Sequence, residues 1–254
     1  MATIVSDLLL KTDNLEKRFG AVQASNNLSL RVARGEVHAL IGPNGAGKTT
    51  VIKQLAGEIL PDSGSIWFDG QEITRLPADE RARMGLARSF QITSVFEQMT
   101  VEENISLAVQ AHKGHSFRFW RPAAKEPQLT APTRFALERV GLDVRSGVPA
   151  ANLSYGEKRQ LEVGMALAGS PKLLLLDEPM AGMGPGGTVK MTELIQGLKG
   201  SLTILLVEHD MNAVFSLADR ITVLVYGEAI ASGTPQQIRG NPDVRRAYLG
   251  EEQS

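Results

Sequence analysis

The sequence predicts an α/β protein built on a parallel β-sheet. Its 254 residues are 43% hydrophobic and 22% charged, an ordinary composition for a globular protein with a sizeable core. Nearly continuous apolar runs at 173–176, 203–207 and 221–226 alternate with helical segments at 188–199 and 211–217. Such runs are typical of parallel strands that are covered on both faces. A glycine-rich stretch between another apolar run and a helical segment supports the same class.

The N-terminal third of the chain predicts mostly strands. Strands are predicted over 8–15, 28–32, 36–41, 65–68 and 86–90, and a helix over 50–56. Because the residues before Gly42 alternate between apolar and polar, we expect the strands there to form a smaller antiparallel sheet beside the main one.

Strand signals disappear between residues 91 and 169, where helical signals replace them. Thr100 and Glu103 form a capping-box pattern at the start of a helix. Helices are predicted over 100–109, 133–140 and 156–168, with a basic, proline-rich loop or broken helix over 112–132. We therefore expect an α-helical subdomain over 91–169, inserted into an α/β core formed by 1–90 and 170–254.

Charge and composition exclude several classes of protein. The 27 basic and 28 acidic residues leave a net charge of −1, so no broad positive field favours nucleic acid as a partner. The absence of cysteine excludes disulfides, thiolate metal sites and cysteine nucleophiles. The apolar runs are far shorter than the roughly 20 residues that cross a bilayer, and the N-terminus lacks the pattern of a secretion signal. We expect a cytosolic location, or attachment to the cytoplasmic face of a membrane through a partner.

Residues 42–49 match the phosphate-binding pattern G-x-x-x-x-G-K-S/T between a strand and a helix. The residues expected to contact nucleotide here are Gly42, Pro43, Asn44, Gly45, Ala46, Gly47, Lys48, Thr49 and Thr50. The glycines let backbone N–H groups converge on phosphate oxygens, and the helix N-terminus favours negative charge. Lys48 would reach the β- and γ-phosphates, and the Thr49 hydroxyl would ligate Mg²⁺. A plain glycine-rich turn is the alternative, which the strand and helix context disfavours.

Two adjacent carboxylates, Asp177 and Glu178, follow the apolar run at 173–176. The carboxyl ends of parallel strands are where α/β sheets bind ligands. Asp177 is therefore expected to hold Mg²⁺, directly or through water, and Glu178 to act as general base on the attacking water. Two acids after a strand also occur as helix N-caps, but the phosphate-binding pattern upstream favours the catalytic interpretation.

A short motif at residues 153–157 completes a resemblance to a known family. It reads Leu-Ser-Tyr-Gly-Glu before a helical segment, with Ser154 as a natural N-cap. Together with the phosphate-binding pattern, it resembles the signature Leu-Ser-Gly-Gly-Gln of the ATP-binding cassette (ABC) family. Tyr155 replaces the first glycine of that signature and Glu157 replaces the glutamine. The resemblance implies an ATPase with a P-loop NTPase (RecA-like) core, and ATP and Mg²⁺ as cofactors.

The other motifs of the family appear in order along the chain. The resemblance implies that Phe19 stacks on adenine, that Gln91 is a catalytic residue that ligates Mg²⁺, and that His209 contacts the γ-phosphate. Taken singly, Phe19 could be a core residue, Gln91 a surface amide and His209 a helix cap. Gly184 departs from the family pattern, because an aspartate usually stands there and touches the opposite subunit.

In the resembled family the signature contacts a nucleotide that is bound by the other protomer. The resemblance therefore implies that Ser154, Gly156 and Glu157 contact the ATP of a partner cassette. We expect a head-to-tail dimer, homo- or heterodimeric, that encloses two ATP molecules. Closure on ATP and reopening after hydrolysis would form a mechanical cycle.

Local strings resemble the ATPase subunits of branched-chain amino acid importers. They lie at 87–91, 99–104, 178–182 and 247–250. The resemblance implies integral membrane permease subunits that dock near residues 93–99, with Val95, Phe96 and Met99 as apolar contacts, and indirectly a solute-binding protein. Urea or amide import and lipid or lipopolysaccharide export are the alternatives within the family. A soluble P-loop kinase, or a cassette protein acting on DNA or ribosomes, is a more remote alternative.

Overall fold

A computed structural model of the protein describes residues 7–89, 95–112 and 127–246. The strands are β1 (Leu8–Phe19), β2 (Val22–Leu28), β3 (Arg31–Ala33), β4 (Val37–Ile41), β5 (Ser63–Phe68), β6 (Gln71–Glu72), β7 (Leu86–Arg88), β8 (Leu173–Asp177), β9 (Thr203–Val207), β10 (Arg220–Val225) and β11 (Glu228–Gly233). The helices are α1 (Lys48–Ala56), α2 (Ala78–Arg83), α3 (Val101–His112), α4 (Pro127–Val140), α5 (Tyr155–Leu167), α6 (Pro185–Leu198), α7 (Met211–Leu217), α8 (Pro235–Gly240) and α9 (Pro242–Val244).

The main sheet has six strands in the order β11-β10-β4-β9-β8-β7. Neighbouring strands from β10 to β7 run parallel, and only the β10–β11 pair is antiparallel. In β8, Leu174 and Leu176 pack into one hydrophobic cluster, whereas Leu173 and Leu175 pack into another, as alternate residues of a strand point to opposite faces. The parallel sheet with both faces covered confirms the predicted α/β class.

One strand lies in a different sheet from the predicted one. The strand predicted at 36–41 was assigned to the small antiparallel sheet, but β4 lies in the middle of the six-stranded sheet. All five of its residues are buried, so its pattern is continuous rather than alternating, as expected for a strand covered on both faces. The glycine-rich stretch that follows therefore leaves the centre of the main sheet.

A second, antiparallel sheet has the order β2-β1-β5-β6, with β3 paired to β1. This confirms a small N-terminal sheet, but the strand predicted at 28–32 is wrong, because it spans the break between β2 and β3. The sequence of β2, Val-Gln-Ala-Ser-Asn-Asn-Leu, is polar enough to hide its strand character. The short elements β6 and α2 were also missed.

Helices α3, α4 and α5 pack on one another and share a hydrophobic cluster with one face of the main sheet. Helix α4 begins at Pro127, six residues before the predicted start, and contains Pro132. A proline this close to the N-terminus removes a single intrahelical hydrogen bond, and the Thr133 hydroxyl donates to the Leu129 carbonyl over 2.7 Å. Most of the predicted loop over 112–132 lies outside the described residues.

The remaining differences concern element ends. The strand predicted at 221–226 ends at Val225, because Tyr226 has a φ of 49° and forms the turn into β11. The strand predicted at 86–90 ends at Arg88, and Phe90 lies outside the described residues. Strand β11 and helices α8 and α9 carried no clear pattern. In the described part of the chain, no helix combines the length and the apolar composition that crossing a membrane requires.

Candidate active site

The glycine-rich stretch forms a loop between the buried strand β4 and the first residue of α1, Lys48. Gly42 has a φ of 153° and Gly47 a φ of 102°, conformations that disfavour any residue with a side chain. A Cβ atom at Gly42 would lie 2.0 Å from the Leu224 carbonyl oxygen, and one at Gly47 would lie 2.1 Å from the Ala24 carbonyl oxygen. The loop is thus held between β10 and β2, and glycine is required at both positions.

Lys48 is 7% exposed and is held inside this loop. Its Nζ donates to the carbonyl oxygens of Gly42, over 2.7 Å, and Pro43, over 3.0 Å. Burial lowers the pKa of Lys48, while the charges of Asp177 and Glu178 oppose that shift. The ammonium group is therefore held by two loop carbonyls, which phosphate oxygens can replace as acceptors.

Asp177 ends β8 as a buried carboxylate that is only partly satisfied. Its Oδ2 lies 3.3 Å from Arg88 Nη2, whereas its buried Oδ1 has no hydrogen-bond partner among the described residues. Burial raises the pKa of Asp177, an effect that the Arg88 charge reduces and the Glu178 charge increases. A buried oxygen without a donor fits a cation ligand, and Mg²⁺ is held in such sites by one or two carboxylates together with phosphate oxygens and water.

The other residues predicted to hold Mg²⁺ add little protein charge to this site. Thr49 lies half-buried in the first turn of α1, next to Thr50, and Gln91 lies outside the described residues. Within the described ranges, no group of three or more His, Asp or Glu side chains is arranged to hold a metal ion by itself. Mg²⁺ is usually held by one or two carboxylates together with substrate phosphates and water, and the Asp177 carboxylate fits the first of these roles.

Glu178 adopts a left-handed backbone conformation with a φ of 51°. For a residue with a side chain this conformation costs about 1 kcal/mol, and such strain is concentrated at functional sites. Its N–H donates to the Val207 carbonyl over 2.8 Å, which fixes the turn against the end of β9. The half-buried Glu178 side chain lies close enough to Lys48 to influence its pKa. Its backbone position is thus set by the neighbouring strand.

His209 lies just beyond the end of β9, and its side chain is 62% exposed. It is not the helix cap that was considered as an alternative, because the Asp210 side chain caps α7 by accepting from the N–H groups of Asn212 and Ala213. The ring remains accessible, as a contact with a γ-phosphate requires. Glu208, immediately before it, is 1% exposed and was missed by the sequence analysis, although an acid directly after a buried strand repeats the pattern that singled out Asp177.

The signature residues form a separate and internally satisfied unit. Ser154 caps α5 in a capping box: its Oγ donates to Glu157 Oε2 over 2.9 Å and accepts from the Glu157 N–H over 3.3 Å. The hydrogen bond from the Ser154 N–H is the main cause that lowers the pKa of Glu157, and Arg145 Nε lies 3.4 Å from its carboxylate. The structure thus assigns a definite partner to the glutamate that replaces the family's glutamine.

A cavity of about 380 Å³ adjoins this unit. It is lined by Ser154, Tyr155, Gly156, Glu157, Gln160, Gly182, Met183, Gly184, Gly186, Gly187 and Lys190, and by no residue of the phosphate-binding loop. The Tyr155 hydroxyl donates to the Ala181 carbonyl over 3.2 Å. Gly184 is the N-cap of α6 and provides no side-chain hydrogen bond, which an aspartate at that position could supply.

Phe19 ends β1 in a hairpin with β2 and is 48% exposed. The Ala24 carbonyl of β2 lies against Gly47, so this hairpin borders the phosphate-binding loop. Lys17 Nζ lies 5.5 Å from the centre of the Phe19 ring. The exposed ring is thus available for stacking rather than buried in the core.

The predicted residues therefore fall into two groups. The first group is the loop at 42–49, whose Lys48 interacts electrostatically with Asp177 and Glu178. His209 belongs with it, because it follows the strand that fixes Glu178. Ser154, Gly156 and Glu157 line a different cavity. One chain thus presents a phosphate-binding half and a signature half that do not share a cavity.

A larger, mainly apolar cavity of about 540 Å³ lies beside the phosphate-binding half. Its lining includes Ala82, Ala108, Met165, Glu58 and Arg88. The Arg88 guanidinium, 9% exposed, forms ion pairs with both Glu58 and Asp177. The wall of this cavity therefore contacts the carboxylate of the candidate cation site.

Two family models match the chain. A model described as ABC transporter matches residues 25–181. A second model, described as Branched-chain amino acid ATP-binding cassette transporter, matches residues 230–253.

Individual relatives match the chain over nearly its whole length. The high-affinity branched-chain amino acid transport ATP-binding protein LivG of Escherichia coli (strain K12) is 44% identical, over 97% of this chain and 100% of the relative. The corresponding protein BraF of Pseudomonas aeruginosa is 42% identical, over 96% of this chain and 98% of the relative. A crystal structure of the ADP conformation of an ATP-binding cassette of an ABC transporter is similar with a TM-score of 0.83 and 30% identity, over 96% of this chain and 99% of that one.

Proposed function

Because the chain belongs to the ABC transporter family and is one of its ATP-hydrolysing cassettes, we propose that it powers the import of branched-chain amino acids through separate membrane subunits. The observation that carries this proposal is the 44% identity with LivG over nearly all of both chains. The C-terminal match at 230–253 to a branched-chain amino acid cassette model supports it. The lipopolysaccharide export system ATP-binding protein LptB of Acidithiobacillus ferridurans is also a relative, but its identity is lower, at 36%.

ATP binds through the phosphate-binding loop, and hydrolysis occurs at its mouth. Lys48 exchanges its loop carbonyls for the β- and γ-phosphates, and the Phe19 ring stacks on adenine. Asp177, the Thr49 hydroxyl and Gln91 would hold Mg²⁺, which would neutralise phosphate charge during hydrolysis. Glu178 takes a proton from the attacking water, and His209 donates a hydrogen bond to the γ-phosphate.

The second half of the site comes from a partner cassette. Ser154, Gly156 and Glu157 line a cavity without any residue of the phosphate-binding loop, which supports an arrangement in which a nucleotide on that loop meets the signature of another chain. Two cassettes arranged head to tail satisfy both halves at once. ATP then holds the dimer closed, and loss of the γ-phosphate allows it to open.

The membrane subunits dock at the apolar cavity lined by Ala82, Ala108 and Met165, on the cytoplasmic face of the membrane. Phe96, 51% exposed, lies in the loop before α3, the helix that carries Ala108. The buried Asn104 side chain fixes that loop by accepting from the Phe96 N–H over 2.8 Å and donating to the Thr100 carbonyl over 2.9 Å. A solute-binding protein delivers the amino acid to the membrane subunits.

Uptake by the reconstituted transporter tests this proposal. The chain is purified together with its membrane subunits and placed in proteoliposomes with ATP and a solute-binding protein. We expect ATP-dependent uptake of labelled leucine, isoleucine or valine, and its loss in Lys48→Ala, because that variant lacks the charge that pairs with the phosphates. Uptake of urea but not of leucine would contradict the proposed solute.

A substitution of Phe96 tests the docking surface. Phe96→Ala removes an exposed apolar ring, so we expect ATP hydrolysis by the isolated chain to stay unchanged while co-purification with the membrane subunits falls by about tenfold. Val144→Ala is the matched control, because Val144 is also exposed, at 85%, but lies in another loop. Equal losses in both variants would contradict a specific role for Phe96.

A further inference from the structure

Glu208 is a buried carboxylate that connects two loops of the candidate active site. Its side chain is 0% exposed. One oxygen, Oε1, accepts from the Met180 N–H over 2.8 Å, and the other, Oε2, accepts from the His209 N–H over 3.0 Å. The first donor belongs to the loop after β8 and the second to the loop after β9.

The partners of Glu208 are backbone groups rather than cations. In the described ranges, no lysine or arginine lies within ion-pair distance, and the His209 ring lies 3.7 Å away. Burying a carboxylate without a counter-ion is costly. A glutamine would bury no charge, but it offers one acceptor oxygen and an NH₂ donor, whereas the carboxylate offers two acceptor oxygens. The chemistry of a glutamate therefore matches a position that joins two N–H groups.

Both loops carry residues with proposed roles in hydrolysis. Met180 lies two residues after Glu178, and His209 directly follows Glu208. The turn at Glu178 is further held by its own N–H, which donates to the Val207 carbonyl over 2.8 Å, and by the Ala181 N–H, which donates to the Glu178 carbonyl over 3.1 Å. With Glu208 in place, the backbone on both sides of Glu178 is attached to the end of β9.

We propose that Glu208 is a positioning residue that fixes Glu178 and His209 relative to each other. Hydrolysis depends on it, whereas binding of ATP by the phosphate-binding loop does not. This inference rests on the proposed roles of Glu178 and His209.

Steady-state kinetics of Glu208→Gln and Glu208→Ala test the inference. We expect kcat to fall by about 10- to 100-fold, because small misplacements of catalytic groups have effects of that size, while the KM for ATP and the affinity of the chain for ATP change by less than about threefold. Thr222→Val is the matched control, because Thr222 is also buried, at 1% exposed, and also hydrogen-bonded. It should lower the melting temperature without lowering kcat. An unchanged kcat in Glu208→Gln, or equal losses of kcat and ATP affinity, would overturn the proposal.

A double-mutant cycle separates positioning from a purely structural role. Because Glu208 is proposed to fix Glu178 and His209 relative to each other, the fold loss of kcat caused by Glu208→Gln should be smaller in a His209→Ala background than in the parent. An equal fold loss in both backgrounds would overturn the proposed connection. If the Glu208 variants do not fold, amide hydrogen exchange of the parent protein provides the measurement. The Met180 and His209 amides should be strongly protected, and rapid exchange at either would overturn the proposal.

Comparison with Glu178→Gln distinguishes the failure of this inference from failure of the proposed function. If Glu178→Gln abolishes hydrolysis and Glu208→Gln leaves kcat unchanged, only the positioning role is wrong. If Glu178→Gln hydrolyses ATP normally, the proposed general base is wrong, and a reduced kcat in Glu208→Gln then supports positioning of His209 alone.

Discussion

The phosphate-binding half and the signature half of this chain hold their polar groups in different ways. In the first, Lys48 is buried against loop carbonyls, and one buried oxygen of Asp177 finds no partner in the part of the chain that the structure describes. In the second, Ser154 and Glu157 are more accessible and already bonded to each other in a capping box. Among the described residues, the first half thus keeps a buried carboxylate oxygen unpaired, whereas the second is complete as the start of a helix.

This difference indicates that one half binds the nucleotide and that the other completes the active site. Unpaired buried groups raise the free energy of the empty site, and a ligand that pairs them gains affinity. In the capping box, the Ser154 hydroxyl donates to Glu157, and this hydrogen bond is replaced only when a competing acceptor is present, such as a phosphate oxygen. We therefore expect the phosphate-binding half to determine nucleotide affinity and the signature half to control dimer closure and hydrolysis.

The largest effect is expected from Glu178→Gln, which removes the proposed base but leaves the phosphate contacts in place. Hydrolysis should fall by about 1,000-fold, while ATP binding persists and the variant accumulates as an ATP-bound dimer. Turnover by phosphate release and mass by light scattering measure the two effects. Glu193→Gln is the control, because it makes the same chemical change at an exposed residue of α6. Normal turnover in Glu178→Gln would remove Glu178 from the base role.

Ser154→Ala should have a smaller effect, confined to the signature half. Binding of ATP to the isolated chain should equal that of the parent, whereas hydrolysis should fall by about tenfold, because a γ-phosphate contact and the helix cap are lost together. Equilibrium binding and phosphate release measure the two halves separately. Parental hydrolysis in Ser154→Ala would show that the signature does not complete the site.

Mixing Ser154→Ala with Lys48→Ala sharpens the same comparison for a homodimer. Each variant carries one intact half, so a mixed head-to-tail dimer contains one site that is wild-type on both sides. Random pairing should restore about a quarter of the parental ATPase sites. No recovery above the sum of the separate variants would argue against exchange of halves between two copies of this chain.

The smallest effect is expected on stability, from Asp177→Asn. Burial raises the pKa of Asp177, because the ionised carboxylate is disfavoured in the folded state. The resulting loss of folding stability is complete above the folded-state pKa and absent below the unfolded-state pKa. Without nucleotide, Asp177→Asn should therefore be more stable than the parent at pH 8, and the gain should shrink as the pH falls through the folded-state pKa towards the unfolded-state pKa. Urea unfolding over a series of pH values measures this. A gain independent of pH would contradict the explanation.

Asp69→Asn provides the control of opposite sign. Hydrogen bonds from Lys172 and Arg34 lower the pKa of Asp69, so its contribution to stability is present above the unfolded-state pKa and is lost as pH falls through the folded-state pKa. Asp69→Asn should therefore be less stable than the parent at pH 8, and the deficit should shrink as the pH is lowered towards the folded-state pKa. If both variants change stability in the same direction, burial of Asp177 is not the cause.

Some features of this protein were determined by local sequence. Strands β8 and β9 were predicted because they are continuously apolar, and the phosphate-binding loop because its glycines and Lys48 have a fixed spacing between a strand and a helix. The capping residues Thr100 and Ser154 likewise predict the helices that they precede. In each case, the physical cause acts within a few neighbouring residues, so the pattern is visible in the chain itself.

Tertiary structure alone decided which segments meet. It placed β4 in the main sheet, joined Asp177 to Glu58 through Arg88, and gave Glu208 its two N–H donors from different loops. It also separated the signature from the phosphate-binding loop of the same chain. Burial, pKa and hydrogen bonding depend on groups brought together from distant parts of the sequence. The spacing of residues along the chain does not predict which of those groups come into contact.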